Sequence, residues 1–282
     1  MKLKTFYTLF YRHRIQKASL IRKYFLWFLL PFKYWINFLY FKKKINLDKY
    51  SKDNKFLFKK DLNFLFEYFN SDKGKTFQNQ YTHPKKKDPR RITAHGYSKF
   101  YETIFLNLRN ETFNILEIGS FYGNASAAFY FYFKNANILG ADINPDMFSY
   151  YSERVKSFYV NSSSEESIKK NIIDKDIKFR IIIEDASHML KDQIISLFYL
   201  FPKLEKGGYF IIEEIDFPES REDMRMNQDP PDLKTILKNI IDQKDFNSPY
   251  VTKELKDYLI KNFESIKFFK GHQNEIAIIK KK

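Results

Sequence analysis

The sequence of 282 residues contains no cysteine, and it has only eight glycines and two tryptophans. Without cysteine the chain has no disulfide bond, no zinc–thiolate site and no thiol nucleophile. An intracellular protein fits this composition. Apolar residues make up 44% of the chain, which is enough for the core of one α/β domain together with an extension.

Acidic residues are nearly missing from residues 1–50, where twelve Lys and Arg accompany a single acid, Asp48. This segment therefore holds eleven of the fifteen net positive charges of the chain. Because the remaining residues are nearly balanced, the basic composition does not indicate a nucleic-acid partner. The charge belongs to a basic, aromatic N-terminal arm, residues 1–50.

Aromatic residues are concentrated in this arm, where residues 24–41 read YFLWFLLPFKYWINFLYF between basic flanks. Rings with basic flanks favour the headgroup region of a bilayer. A membrane span is disfavoured because Pro31 is expected to break the helix and Lys33 lies near its centre. No small-residue cleavage site follows, which argues against a signal peptide.

We therefore expect residues 20–44 to contact the inner membrane surface. The alternatives are that the arm packs on the domain, that it forms a homo-oligomer, or that it spans the membrane. The expected location is cytoplasmic, peripheral on the inner membrane face.

A helical lead-in occupies residues 51–110. Residues 51–70 repeat apolar side chains at helical spacing and predict an amphipathic helix. A basic loop follows, with HPKKKDPRR at residues 83–91, and residues 97–108 predict another helix. The basic run is either a solvated loop or a surface for an anionic acceptor.

Short apolar strands alternate with helices over residues 111–282, the expected catalytic domain. Strands are predicted at residues 114–118, 138–141, 158–160, 179–184 and 209–212. Helices are predicted at residues 123–133, 145–156, 165–173, 191–203, 232–243 and 250–262. Residues 265–270 and 275–280 flank a turn and predict a hairpin. The fold class is therefore α/β, a Rossmann-like, doubly wound, mostly parallel seven-stranded sheet with a C-terminal antiparallel hairpin, preceded by a helical N-terminal arm.

A glycine-containing turn follows the first strand of this domain. LEIGSFYG at residues 116–123 ends the strand with Glu117 and has glycines at 119 and 123. In an open α/β sheet the ligand lies beyond the carboxyl ends of the strands, and Gly119 lets the backbone approach it. Asp142 ends the second strand, where a carboxylate can accept both hydroxyls of a ribose. These features favour S-adenosylmethionine, since the GxGxxG pattern for a pyrophosphate is missing.

Acidic residues and a histidine follow two further strands. Glu184, Asp185 and His188 follow the fourth strand, and Glu213 with Glu214 end the fifth. Because these strands are expected to be neighbours, Asp185, Glu213 and Glu214 converge and require a cation such as Mg²⁺. The metal lowers the pKa of a hydroxyl nucleophile, and His188 removes its proton.

These motifs resemble the metal-dependent macrocin and mycinamicin sugar O-methyltransferases and their relatives in bacterial polysaccharide gene clusters. The matching residues are DASH at 185–188, EE at 213–214, SDKGK at 71–75 and HGYSKFYETIF at 95–105. The resemblance covers about residues 65–282. Three departures are Glu214 and Glu184, where the family has aspartate, and NSSS at 161–164, which replaces a Gly-Asp/Gln type of turn.

The resemblance implies Asp185, Glu213 and Glu214 as Mg²⁺ ligands and His188 as the general base. It implies that the following residues surround the S-adenosylmethionine: Ser71, Glu117, Ile118, Gly119, Ser120, Phe121, Tyr122, Gly123, Asp142, Asn161, Ser162 and Glu184.

The expected function is transfer of a methyl group to a sugar hydroxyl, in a cell-surface glycan or glycan precursor. The polar loop at residues 216–231 is expected to cover the acceptor site. Two other functions stay open: an NAD(P)-linked oxidoreductase acting on nucleotide sugars, and a non-catalytic, cofactor-binding, membrane-associated protein.

Overall fold

A computed structural model describes residues 1–41, 43–79 and 90–282, with only the backbone described for His13. Its central sheet has seven strands, numbered here along the chain: β1 (Asn114–Ile118), β2 (Asn137–Asp142), β3 (Val155–Tyr159), β4 (Phe179–Glu184), β5 (Leu204–Glu213), β6 (Phe263–Lys270) and β7 (Glu275–Lys281).

The strand order in this sheet is β6-β7-β5-β4-β1-β2-β3. Strands β1 to β5 pair in parallel, whereas β7 is antiparallel to both β5 and β6. The predicted α/β class, with a mostly parallel sheet and a C-terminal antiparallel hairpin, is confirmed. Two short pairs lie outside the sheet: Ile45–Asn46 with Tyr150–Tyr151, and Thr76–Gln78 with Arg91–Thr93.

The α-helices of the described residues are α1 (Leu3–Phe10), α2 (Arg12–Gln16), α3 (Leu20–Phe38), α4 (Leu47–Asp53), α5 (Leu62–Tyr68), α6 (Ser98–Phe105), α7 (Asn124–Tyr132), α8 (Glu165–Ile168), α9 (Leu190–Leu200), α10 (Phe217–Ser220), α11 (Leu233–Gln243) and α12 (Lys253–Asn262). Shorter 3₁₀ turns occur at Lys55–Lys59, Leu106–Leu108, Pro145–Met147, Phe201–Lys203 and Glu222–Met224, and a π turn at Lys169–Ile173.

Two hydrophobic layers cover the two faces of the sheet. Ile181 and Ile183 of β4 lie in the core that contains α4 to α7, and Ile182 lies in the core that contains α8, α9, α11 and α12. Side chains of a strand alternate between its faces. The uninterrupted apolar run of β4 therefore reflects burial on both sides, as expected of a parallel strand.

The first three helices form a small unit with its own apolar centre, which contains Phe6, Tyr11, Ile15 and Leu30. Helix α1 attaches this unit to the loop after β2: the Thr5 hydroxyl donates a hydrogen bond to Asp146 Oδ1 at 2.9 Å. Within the described part of the chain, no helix combines the length and apolarity needed to cross a membrane.

Pro31 does not break the helix of the N-terminal arm, contrary to expectation. Helix α3 continues through it from Leu20 to Phe38. A proline inside a helix removes one backbone hydrogen bond, but tertiary packing of Leu30 and Asn37, which are both buried, holds the two halves in one helix.

Two predicted helices differ from the structure. Residues 51–70 contain the end of α4, a 3₁₀ turn and α5. The single predicted helix is interrupted because Asp61 starts a new helix by accepting a hydrogen bond from the Phe64 amide at 2.7 Å. Residues 145–156 are not a helix: Tyr150–Tyr151 pairs with Ile45–Asn46 instead. This partner lies in the N-terminal arm, about a hundred residues earlier in the chain, so the local pattern did not reveal it.

Strand boundaries also differ in two places. The third strand begins at Val155, and the fifth begins at Leu204 and continues through Gly207 and Gly208, which were expected to lie before it. Most of the basic run at residues 83–91 lies outside the described residues. The division of the chain at residues 50 and 110 stays a prediction.

Candidate active site

A cavity of about 540 Å³ opens at the carboxyl ends of β1, β2, β4 and β5. This is the side of an open α/β sheet where ligands bind, and β1, with strands leading away on both sides, is its switch point. The residues predicted from the sequence that line the cavity are Ser71, Glu117, Gly119, Ser120, Phe121, Tyr122, Asp142, Asp185, His188 and Glu214.

Gly119 lines the cavity and is also required by a backbone contact of the chain itself. Its φ is +87°, and a Cβ atom added there would lie 1.9 Å from the carbonyl oxygen of Asp185. The turn after β1 is therefore pressed against the turn after β4. This contact holds Asp185 next to the cavity.

Asp142 anchors the loop that follows β1. Its Oδ2 accepts a hydrogen bond from the Phe121 amide at 2.9 Å, and its Oδ1 accepts one from the Asn144 amide at 2.7 Å. Burial raises the pKa of this carboxyl, although both amide hydrogen bonds act in the opposite direction. Since a carboxylate oxygen accepts more than one hydrogen bond, Asp142 keeps acceptor capacity for a ligand hydroxyl.

The ammonium group of Lys73 is buried in the protein interior, below the cavity. Its ammonium group contacts Asp185 Oδ2, lies 2.9 Å from Glu213 Oε2 and lies 3.7 Å from Glu117 Oε1. Although burial lowers the pKa of Lys73, the charges of Asp185 and Glu213 raise it well above its usual value. Lys73 is therefore the charge partner of three buried or half-buried carboxylates.

Glu213 and Glu117 are the most buried acids of this group. The Tyr101 hydroxyl donates a hydrogen bond to Glu213 Oε1, and the Ser126 hydroxyl donates one to Glu117 Oε2 at 2.6 Å. Burial raises the pKa of Glu117 to about 7, against the opposing charge of Lys73. Both carboxylates are thus held by partners of the chain itself.

A second group contains Asp185, His188 and Glu214. His188 Nε2 lies 2.8 Å from Glu214 Oε2 and 3.8 Å from Asp185 Oδ1. Burial lowers the pKa of His188, but the hydrogen bond and charge of Glu214 outweigh it and raise this pKa to about 9. Asp185 links the two groups, because one of its oxygens faces Lys73 and the other faces His188.

Glu214 is positioned by elements that are distant in sequence. His95 Nε2 lies 3.1 Å from Glu214 Oε1, and the Asn274 amide donates a hydrogen bond to the same oxygen at 2.9 Å. Asn274 lies in the turn between β6 and β7. The C-terminal hairpin therefore contributes directly to the site.

Three non-glycine residues of the site have left-handed backbones: Phe121, His188 and Glu214, with φ of +45°, +55° and +53°. Such residues are uncommon and cost of order 1–3 kcal/mol each. They follow the ends of β1, β4 and β5, where the chain turns sharply and directs its side chains towards the cavity. Strain of this kind concentrates at functional sites.

Some predicted site residues lie away from the cavity lining. Glu213 faces Lys73 and Tyr101, whereas Glu184 is completely buried at the end of β4. Asn161 accepts a hydrogen bond from the Ser163 amide within its own turn. Ile118, Gly123 and Ser162 are also outside the set of lining residues. The assigned roles of these residues stay predictions.

Sequence reasoning did not assign roles to Lys73, His95, Tyr101 and Asn274. The first three lie inside the segments SDKGK and HGYSKFYETIF, which carry the family resemblance. The neighbouring sequence does not show, however, that their side chains reach the ends of the strands. Asn274 occupies a hairpin turn, where asparagine is common for conformational reasons alone.

The residues present fit a divalent cation beside Asp185 and Glu214. In the described chain, ligand atoms of Asp185, His188 and Glu214 lie within 4.8 Å of one another. Mg²⁺ is commonly held by one or two carboxylates, with water and substrate completing its shell. Asp185 and Glu214 supply these two carboxylates, whereas Glu213 is held by Lys73.

The strand order, the cavity at the carboxyl ends and the C-terminal antiparallel hairpin define a Rossmann-like fold of the methyltransferase type. Two solved structures of the mycinamycin methyltransferase MycE share this fold. One, in complex with Mg and SAH, has a TM-score of 0.59 and 20% identity over 79% of this chain and 55% of that chain. The other, which also contains mycinamycin VI, has a TM-score of 0.60 and 19% identity.

Curated relatives are sugar O-methyltransferases. The chain is 25% identical over 128 residues to 8-demethyl-8-(2-methoxy-alpha-L-rhamnosyl)-tetracenomycin-C 3'-O-methyltransferase of Streptomyces olivaceus, which is 43% of this chain and 32% of that protein. It is 25% identical over 134 residues to demethylmacrocin O-methyltransferase of Streptomyces fradiae, 45% of this chain and 33% of the relative. No protein-family model matches the sequence. The predicted resemblance is confirmed, over about one third of each curated relative's length.

Proposed function

We propose that this protein is an S-adenosylmethionine-dependent, Mg²⁺-assisted O-methyltransferase that acts on a sugar hydroxyl. The observation that carries this proposal is the placement of Asp185, His188 and Glu214 at one end of a cavity whose other wall contains Asp142 and the 119–122 turn. A fold shared with an SAH- and Mg-bound methyltransferase supports the same conclusion.

The two walls of the cavity would have different roles, one in binding the cofactor and the other in binding the cation. Asp142 would accept hydrogen bonds from the ribose, and the 119–122 turn would border the remainder of the cofactor, which supplies an electrophilic methyl group. A cation held by Asp185 and Glu214 would lower the pKa of the acceptor hydroxyl. The rate then depends on holding oxygen, methyl carbon and sulfur in line.

His188 is the candidate general base. Its Nε2 would receive the hydroxyl proton, and the carboxylates of Asp185 and Glu214 would stabilise the imidazolium that forms. The pKa of His188, about 9, keeps the imidazole protonated near pH 7 while Glu214 is its only charged hydrogen-bond partner among the residues that the structure describes, and Nε2 is hydrogen-bonded to Glu214 at 2.8 Å. The role of base therefore requires that this bond open and that the positive charge of a cation bound at Asp185 and Glu214 lower the pKa of His188.

The acceptor side of the cavity is bordered by Phe217, Arg221 and Met224. These residues belong to the segment predicted to cover the site, which contains α10 and a 3₁₀ turn. Their apolar and cationic surfaces suit a sugar that carries an apolar or anionic group. The proposed acceptor is a glycan precursor of a cell-surface polysaccharide, and the proposed place of reaction is the cytoplasm at the inner membrane face.

Transfer of a labelled methyl group from S-adenosylmethionine to a panel of glycans, with simple catechols as controls, tests the proposal. Labelling of glycans supports it, and labelling of catechols alone contradicts the sugar acceptor. Thermal unfolding with S-adenosylhomocysteine and with NAD distinguishes a methyltransferase from the oxidoreductase alternative. A ligand that binds the folded state raises the midpoint temperature of unfolding. Stabilisation by NAD alone would contradict the proposal.

A further inference from the structure

The outer face of α3 is an apolar stripe with no partner among the described residues. The stripe consists of large exposed side chains at helical spacing, the last of them directly after the helix: Ile21, Tyr24, Phe25, Phe28, Phe32, Trp35, Ile36 and Leu39. Ile21, Trp35 and Leu39 are 84%, 77% and 86% exposed. A contiguous exposed apolar surface of this kind marks an interaction site.

A basic pocket of about 370 Å³ lies between α2 and α3. Its lining includes four cationic side chains, Arg14, Lys17, Arg22 and Lys33, over an apolar floor that contains Tyr11. The sequence has no Asp or Glu before Asp48, and none of the four cations forms a salt bridge with a residue that the structure describes. Four cations around one pocket give it a positive potential that attracts an anion.

The pocket borders the stripe. With 3.6 residues per turn, Arg22 and Lys33 lie on the flank of α3 that faces α2, and the edge of the stripe at Phe25 and Ile36 is less than one residue step around the helix from Arg22. Lys33 Nζ lies 5.1 Å from the centre of the Tyr11 ring, which is itself buried. When the stripe faces a bilayer, the pocket lies beside it, at the level of the headgroups.

We propose that this pocket binds the phosphate headgroup of an anionic phospholipid while the stripe inserts into the acyl boundary of the same leaflet. An in-plane helix combines an apolar face with flanking Lys and Arg in this way, and each cation near an anionic surface strengthens binding. The inference extends the proposed location and is independent of the methyl-transfer reaction. Its tests therefore measure lipid binding alone.

Vesicle flotation of the full chain provides the test. Phosphatidylcholine vesicles are compared with vesicles of phosphatidylcholine and phosphatidylglycerol in equal amounts. The protein should float with the anionic vesicles, and its tryptophan fluorescence, to which Trp27 and Trp35 both contribute, should shift to shorter wavelength. The double variant R14Q/R22Q should bind these vesicles about 30-fold more weakly, since each removed cation accounts for about a fivefold change.

The matched control is K52Q/K55Q, which removes two exposed charges outside the pocket. It should change binding less than about twofold, because those lysines lie outside the surface that contacts lipid. Both double variants should unfold at the temperature of the parent. A second variant, F28S/W35S, should lose binding while keeping the pocket. Equal loss in R14Q/R22Q and K52Q/K55Q would contradict the headgroup site.

Two further outcomes would overturn the proposal. Release of the protein from anionic vesicles by inorganic phosphate at matched concentration would show a site for a soluble phosphate group. A dimer in sedimentation that buries Trp35, with no flotation, would show that the stripe binds a second copy of the chain.

Discussion

Lys73 Nζ lies 2.9 Å from Glu213 Oε2, and both side chains are only 2% exposed. The same ammonium group contacts Asp185 and lies near Glu117. One lysine is thus the shared cationic partner of three acids at the ends of β1, β4 and β5. Because a buried charge without a partner is costly, this cluster depends on a residue from the lead-in.

Replacing Lys73 with methionine should lower the free energy of unfolding by about 3–5 kcal/mol, because it leaves buried carboxylates without a counter-charge. Urea unfolding measures the change. The exposed neighbour Lys75 is the control, and K75M should change stability by less than about 0.5 kcal/mol. Equal stabilities for the two variants would contradict the structural role of Lys73.

Chelation should abolish methyl transfer, and added Mg²⁺ should restore it. The variant E214Q should require at least about tenfold more Mg²⁺, since it replaces one of the two carboxylates proposed to hold the cation with a neutral amide. E213Q should instead mainly lower stability, because Glu213 is bonded to Lys73 and Tyr101. If E213Q raises the Mg²⁺ requirement as much as E214Q does, Glu213 is a metal ligand, as predicted from the sequence.

His188→Ala should reduce turnover by about 10²–10⁴-fold, the usual contribution of a general base. Affinity for S-adenosylhomocysteine, measured by calorimetry, should stay within about twofold. This separation of turnover from cofactor affinity identifies a residue that acts on the acceptor. Unchanged turnover would remove the proposed role.

Asp142→Asn should weaken S-adenosylhomocysteine binding by about tenfold or more, because it removes charge from hydrogen bonds to the ribose and to the Phe121 amide. The exposed Asp176 provides a control, and D176N should leave the dissociation constant unchanged. If both variants bind equally well, Asp142 does not contact the cofactor.

Gly119→Ala should be far more destabilising than Gly207→Ala, although both glycines have positive φ. At Gly119 the new Cβ meets the Asp185 carbonyl at 1.9 Å, whereas at Gly207 it meets the end of the Arg180 side chain at 3.2 Å. We expect about 1 kcal/mol for the conformational cost at Gly207 and several times more at Gly119. Thermal or urea unfolding of both variants checks this, and similar losses would contradict the backbone clash.

The sequence by itself determined the chain order of the seven strands of the central sheet and the places where acids end these strands. This information is local: apolar runs predict buried strands, and the carboxyl ends of parallel strands meet at one edge of the sheet. Asp185, Glu213 and Glu214 are therefore predicted to converge beside His188, with Asp142 at the same edge of the sheet.

Only the tertiary structure decided which charged and polar side chains pair. Lys73 is 112 residues from Asp185 along the chain, and Asn274 is 60 residues from Glu214, so no local pattern relates them. The same holds for Tyr150–Tyr151, which pairs with Ile45–Asn46 where a helix was predicted. Hydrogen bonds between distant segments and the burial of charge depend on packing, and packing is a property of the folded chain.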